Sequence, residues 1–140
     1  MKDKHFLDTN IFIYSFDHAH PHKQKKAQHL IDASLKNKNG IISSQVIQEF
    51  FNVATKKFSV TMSQKECEIY LEQVLSPLCV IFPSLGLFSK ALKLHHKTSY
   101  ALYDSLILAA CIEAKCNTLF SEDLQHSQTV EGVKIINPFI

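Results

Sequence analysis

HFLDTN, residues 5–10, is the stretch whose reading decides the fold. His5–Leu7 is a short apolar run that reads as a strand, and Asp8 ends it. The apolar run at 11–16 either extends that strand or starts a short helix. Further along the chain, Ile41 with Ile42, residues 79–82, Thr118–Phe120 and Val133–Ile136 give four more short apolar strands. Helical patterns lie mainly between them. Residues 22–36 follow Pro21, a helix-starting residue, and present Ala27, Leu30, Ile31 and Leu35 on one stripe until NKNG at 37–40 stops them. Residues 45–57 carry Val46, Phe50, Val53 and Ala54 on one face. Ser63 with Glu66 forms a capping-box signal for a helix to about 75, with Ile69, Leu71, Val74 and Leu75 as its apolar positions. Residues 85–97 and the very apolar 100–115 complete the set, and 121–130 reads as a loop or short helix. The strands do not alternate polar with apolar residues, which is the mark of a parallel sheet buried on both faces. The expectation is an α/β chain, a three-layer α/β/α arrangement around a five-stranded parallel sheet, forming a single domain over residues 1–140.

Composition narrows the function. The chain has 140 residues, 46% hydrophobic and 20% charged, enough for one real core and too apolar for intrinsic disorder. All 15 basic residues are lysine, so bidentate arginine recognition of phosphate or guanine is excluded. The formal net charge is only +2. That balance hides a possibility: acids drawn into one site would leave the rest of the molecule markedly basic. Cys67, Cys79, Cys111 and Cys116 form no CxxC pair, which argues against a zinc knuckle. The N-terminal residues lack a signal-peptide core, and the longest apolar region, 106–112, is too short to span a bilayer. A reducing cytoplasm and no membrane attachment are expected.

Four of the 13 acids are placed informatively. In an open parallel sheet, ligands bind beyond the carboxyl ends of the strands. Asp8 ends the first strand, Glu49 lies in the second turn of the helix after the second, Asp104 opens the helix before the fourth, and Asp123 follows the fourth. All four can meet at that edge. Apolar neighbours make the carboxylates of Asp8, Glu49 and Asp104 costly without a partner, and no lysine lies within six residues of Glu49 or Asp104. Clustered oxygen donors without a cysteine or histidine pattern point to Mg²⁺ or Mn²⁺. Such a cation acidifies water and stabilises charge on phosphate, which points to phosphodiester hydrolysis. Asp8 and Asp104 are the first candidate ligands, Glu49 ligates or orients water, and Asp123 completes the site or holds a second metal. Thr9, Asn10 and Ser121 are candidate supports for these acids or contacts to a substrate phosphate.

The chain resembles the PIN-domain ribonucleases, and within them the VapC-like toxins of toxin–antitoxin pairs. The resemblance rests on FLDTN at 6–10, SSQVIQEFFNV at 43–53 with Glu49, YALYDSLILAACIEAKC at 100–116 with Asp104, and TLFSEDL at 118–124 with Ser121 and Asp123. It implies Mg²⁺- or Mn²⁺-dependent cleavage of RNA and a parallel sheet ordered 3-2-1-4-5. It also implies a homodimer and neutralisation by a small antitoxin protein. Glu122 and Asp123 are adjacent, and the motif favours Asp123 as the fourth acid. Without arginine, lysines must serve any RNA groove, and Lys56 with Lys57, or Lys2 with Lys4, are the candidates.

Other readings are weaker. HAHPH at 18–22 is read as a solvated turn before a transition-metal site, and His126 is a weak candidate neighbour of Asp123. There is no GxSxG, GxGxxG or GxxxxGK[ST] pattern. An aspartate-dependent phosphatase using Asp8 would want a second acid two residues on, where Asn10 stands. A catalytically silent interaction domain is the rival from another class. Residues 60–97 offer it a dimer surface, with Met62, Ile69, Tyr70 and Leu94 as contributors.

Overall fold

A computed structural model describes residues 3–140 of the chain. At its centre lies strand β1 (His5–Leu7), between β2 (Gly40–Ser43) and β4 (Thr118–Phe120). Both neighbours run parallel to it, with Phe6 opposite Ile41 on one side and Leu119 on the other. Strand β3 (Cys79–Ile81) forms one edge beside β2. On the other side β6 (Val133–Ile136) pairs in parallel with β4. These five strands have the expected order, the last being β6. A sixth, β5 (Thr129–Val130), pairs antiparallel with β6 and makes the sheet mixed. It lies inside the stretch read as a loop or short helix. A turn with Glu131 and Gly132 at positive φ folds the chain back here, and two residues are too few for a periodic signal.

Every residue of β2 is buried, so its two faces are both covered by helices. The apolar run after Asp8 becomes helix α1 (Thr9–Tyr14) rather than more strand. Asp8 causes the switch: its extended backbone ends β1 and its Oδ1 accepts the Thr9 amide at 2.7 Å, capping the helix. Helix α2 (Pro21–Asn37) begins at its proline and ends on Lys38 in the left-handed conformation. Its Ser34 packs so closely on β2 that a Cβ at Gly40 would stand 2.4 Å from the Ser34 Cβ.

Helix α3 (Ser44–Ala54) ends earlier than expected, and Ala54 instead takes the Met62 amide through its carbonyl. The Ser63–Glu66 capping box forms and starts α4 (Gln64–Tyr70). A π-helical turn, Leu71–Leu75, then carries the chain into α5 (Ser76–Leu78). That turn rotates the apolar stripe, so Leu75 is buried while Ile69 and Leu71 are exposed over less than half of their surface. Helices α6 (Leu85–Thr98) and α7 (Leu102–Glu113) pack on each other.

Of the residues expected on a dimer surface, Leu94 is in the core and Tyr70 packs partly buried against it. Leu94 is buried on the inner face of α6. Tyr70 stacks on Phe50 at 5.1 Å and meets Phe16 edge-on at 5.3 Å, tying α4 to α3 and to the end of α1. Burial pushes its hydroxyl up to about 12. Among the described residues no helix is long and apolar enough to cross a membrane. All four cysteines are free.

Candidate active site

Helix starts and strand ends share one edge of a parallel sheet, and there the four acids come together. Asp8, Glu49, Asp104 and Asp123 line one cavity of about 270 Å³, with Thr9, Asn10, Ile13, Asn52, Val53 and Ile107 completing its wall. Asp8 stands at the end of β1, Glu49 on α3, Asp104 in the first turn of α7 and Asp123 in the loop after β4.

Asp8 is the deepest, with 4% of its surface exposed. One carboxylate oxygen accepts the Thr9 amide and the other accepts the Ser121 hydroxyl at 2.7 Å. Ser121 Oγ also accepts the Asp123 amide at 3.1 Å, so one serine fixes the geometry of two acids. The Thr9 hydroxyl donates to Glu49 Oε1 at 2.6 Å. The Asn10 amide donates to both Asp123 oxygens at 3.1 Å. The segment DTN at 8–10 thus supplies one acid and positions two others.

The electrostatics follow from burial and crowding. Burial pushes the Asp8 carboxyl up to about 7, with Asp123 and Glu49 adding repulsion and the Ser121 and Thr9 hydrogen bonds opposing it. Burial, then the charges of Asp123 and Glu49, raises Asp104. Burial, then Glu122 and Glu49, raises Asp123 against the pull of Asn10. Among the described residues no lysine lines the cavity and none of the four acids has an ion-pair partner. The donor set therefore suits a hard divalent cation: all oxygen, anionic and mutually repelling. The acids stand on the walls, and among the described residues no three His, Cys, Asp or Glu side chains converge as a finished metal cage.

The choice between Glu122 and Asp123 is made by neighbours distant in sequence. Glu122 accepts from Tyr14 at 2.7 Å and from Lys23 at 2.9 Å, outside the cavity. Burial opposes ionisation of Glu122, but these bonds outweigh it and hold the carboxyl below its usual range.

Other expectations divide. Lys57 lines a second cavity, about 550 Å³, that shares Ile13 and Val53 with the acidic one. Lys4 precedes β1, at the opposite edge of the sheet from Asp8, and its carbonyl takes the Asn117 amide. Lys2 lies outside the described residues. His126 does not line the acidic cavity; its Nδ1 accepts the Asn137 amide at 2.9 Å. Of the HAHPH histidines, His20 bonds Asp17 at 2.8 Å. Leu102 and Tyr103, apolar neighbours of Asp104 in sequence, are exposed.

Two polar residues were not anticipated. Asn52 lines the cavity three positions after Glu49. Gln45, four positions before it, donates to Glu49 Oε2 at 3.3 Å and to the Tyr103 carbonyl at 3.1 Å. Helical spacing puts all three on one face of α3, and that spacing was the available signal.

No curated protein matches this chain. Among solved structures, a toxin–antitoxin complex from Klebsiella pneumoniae has a chain 19% identical, with TM-score 0.67, covering 96% of this chain and 98% of that one. VapBC2 from Rickettsia felis, bound to a DNA fragment from its promoter, is 20% identical with TM-score 0.66, covering 94% and 96%. The sarcin-ricin-loop-cleaving toxin VapC20 from Mycobacterium tuberculosis is 14% identical with TM-score 0.57, covering 86% and 90%. At these identities the likeness is one of fold. The sequence itself matches the PIN domain family over residues 5–131, and the chain belongs to that family.

Proposed function

We propose that this protein is a divalent-metal-dependent endoribonuclease of the toxin type, working as one PIN-like unit. The observation that carries the reading is the cavity walled by Asp8, Glu49, Asp104 and Asp123, with no basic side chain among the described residues lining it. Asp8, Asp104, Glu49 and Asp123 would hold Mg²⁺ or Mn²⁺, which when bound supplies an acidified water and charge stabilisation at a phosphodiester. The protein's own groups hold these acids in place: Ser121 on Asp8, Thr9 on Glu49, Asn10 on Asp123. RNA as the substrate is supported by the resemblance of the motifs and by the activity stated for VapC20. A small antitoxin partner is supported by the toxin–antitoxin complexes that share the fold.

A homodimer is supported by a second surface. Residues 73–89 carry no charge, and Val80 on the edge strand β3, Phe82 just after it, and Leu85 and Phe88 at the start of α6 are exposed. The phosphatase reading loses ground because Asn10 stands where it wants a second acid and is turned to Asp123.

The test is cleavage of a labelled RNA with Mn²⁺ or with chelator. Wild type cuts only with metal, and Asp8→Asn or Asp104→Asn lowers the rate by about 100-fold or more while the circular dichroism is unchanged. Equal cutting by the variants, or cutting in chelator, overturns the reading. Partner binding without metal and without cutting would favour the silent interaction domain.

A further inference from the structure

The first half of α2 carries a charge pattern that the acidic cavity does not use. From residue 18 to residue 31 there are four histidines and three lysines, and no acid. His22, Lys25, Lys26 and His29 fall at helical spacing, on one face of the helix. With Leu30, Ala33 and Pro138 they line a groove of about 500 Å³. Among the described residues none of these four side chains takes part in an ion pair. This differs from Lys36 of the same helix, which pairs with Asp32, and from Lys90, which pairs with Glu131.

The groove is tied to the catalytic edge. Lys23, next to His22, holds Glu122 at 2.9 Å, and Glu122 immediately precedes Asp123. Lys23 also sits over the Tyr14 ring at 4.6 Å, and Tyr14 meets Phe139, the residue after Pro138, at 4.9 Å. The first turn of α2, the loop of Asp123 and the C-terminal segment are thus one packed unit. His22 to His29 spans about 10 Å of helix.

We propose that this groove is an RNA exosite, a track that grips phosphates of a single strand outside the acidic cavity. Lysine and imidazole act there as point donors, since the chain has no arginine to form bidentate contacts. An acidic cavity repels the backbone of its own substrate, and a basic groove on an adjoining element offsets that repulsion. The identity of the polyanion as RNA rests on the ribonuclease reading; the groove and its charge do not.

The experiment measures binding of a labelled, unstructured 20-nucleotide RNA in chelator, over a range of salt. It compares wild type, Lys25→Glu with Lys26→Glu, and the charge-matched pair Lys93→Glu with Lys134→Glu on α6 and β6. All four lysines are solvent-accessible, and thermal unfolding checks that both variants fold. The α2 pair is expected to weaken binding about tenfold and to lower the salt slope by about 1.4. The control pair leaves both near wild type. With Mn²⁺, the α2 pair raises KM for the 20-mer and leaves cleavage of a tetranucleotide unchanged. Equal losses in both pairs would mean net charge alone and overturn the exosite. So would polyglutamate displacing the RNA at lower charge concentration, which would assign the groove to an acidic protein partner. A selective binding loss in a protein that cuts nothing would sink the nuclease reading and leave the groove standing. Asp8-dependent cutting with unaltered binding by the α2 pair would do the reverse.

Discussion

Asp8 carries two functions that pull in opposite directions. As the cap of α1 it is held by the Thr9 amide, and as the deepest wall of the cavity it sits beside Glu49 and Asp123. Its carboxyl titrates near 7 in the fold against 3.8 for the free side chain. Between those values the folded protein keeps a proton that the unfolded chain has lost. The contribution of Asp8 to the stability of the metal-free protein therefore falls as pH rises from about 4 to about 7 and is flat above that. Asparagine caps a helix equally well and does not ionise. Asp8→Asn is expected to match wild type near pH 4 and to exceed it at pH 8, by on the order of 4 kcal/mol at most. Urea unfolding in chelator at the two pH values reads this directly. A variant less stable than wild type at pH 8 would show that the charged form is not the costly one. Adding Mn²⁺ at pH 8 should stabilise wild type and shrink the difference, because a ligand of the folded state adds to its stability.

The elements are held in register by close approaches more than by individual bonds. Helix α2 reaches β2 through Ser34, whose hydroxyl bonds both the Leu30 carbonyl and His5 Nε2 at 2.7 Å. Gly40 leaves room for that serine. Gly40→Ala puts a methyl 2.4 Å from the Ser34 Cβ and forces α2 off the sheet. The expected cost is about 1–3 kcal/mol, read as a lower urea midpoint. Restoring stability by pairing it with Ser34→Gly would confirm the contact as the cause. At this scale the sequence was legible where an element carries its own signal. Pro21, the Ser63–Glu66 box and the non-alternating apolar runs each marked an element that formed. It was illegible where the decision is tertiary. The π turn at Leu71–Leu75 keeps helical spacing in sequence yet turns Ile69 outward. Strand β5 exists because β6 offers it an edge.

For the molecule as a whole, Val80, Phe82, Leu85 and Phe88 of the uncharged span at 73–89 are exposed at an edge of the sheet. An exposed edge strand flanked by Phe82, Leu85 and Phe88 is a surface that a second copy would cover. Wild type is expected to sediment as a dimer and Phe82→Asp as a monomer, with little change in the unfolding of the isolated fold because Phe82 is exposed. A monomeric wild type at tens of micromolar would remove the dimer from this picture.

The sequence alone determined the α/β class, the succession of the five parallel strands with their main helices, and the four acids that line one cavity. Strand character, helix caps and the spacing of carboxylates from strand ends are local properties, set within a few residues of chain. Only the tertiary structure decided how those acids are held. Ser121 on Asp8, Asn10 on Asp123 and Thr9 on Glu49 join residues 40 to 113 positions apart. It alone put Glu122 with Lys23 and Tyr14 rather than in the cavity, Leu94 in the core and Tyr70 against it. Hydrogen bonds and burial of this kind depend on which surfaces the folded sheet brings together, and no local pattern records that.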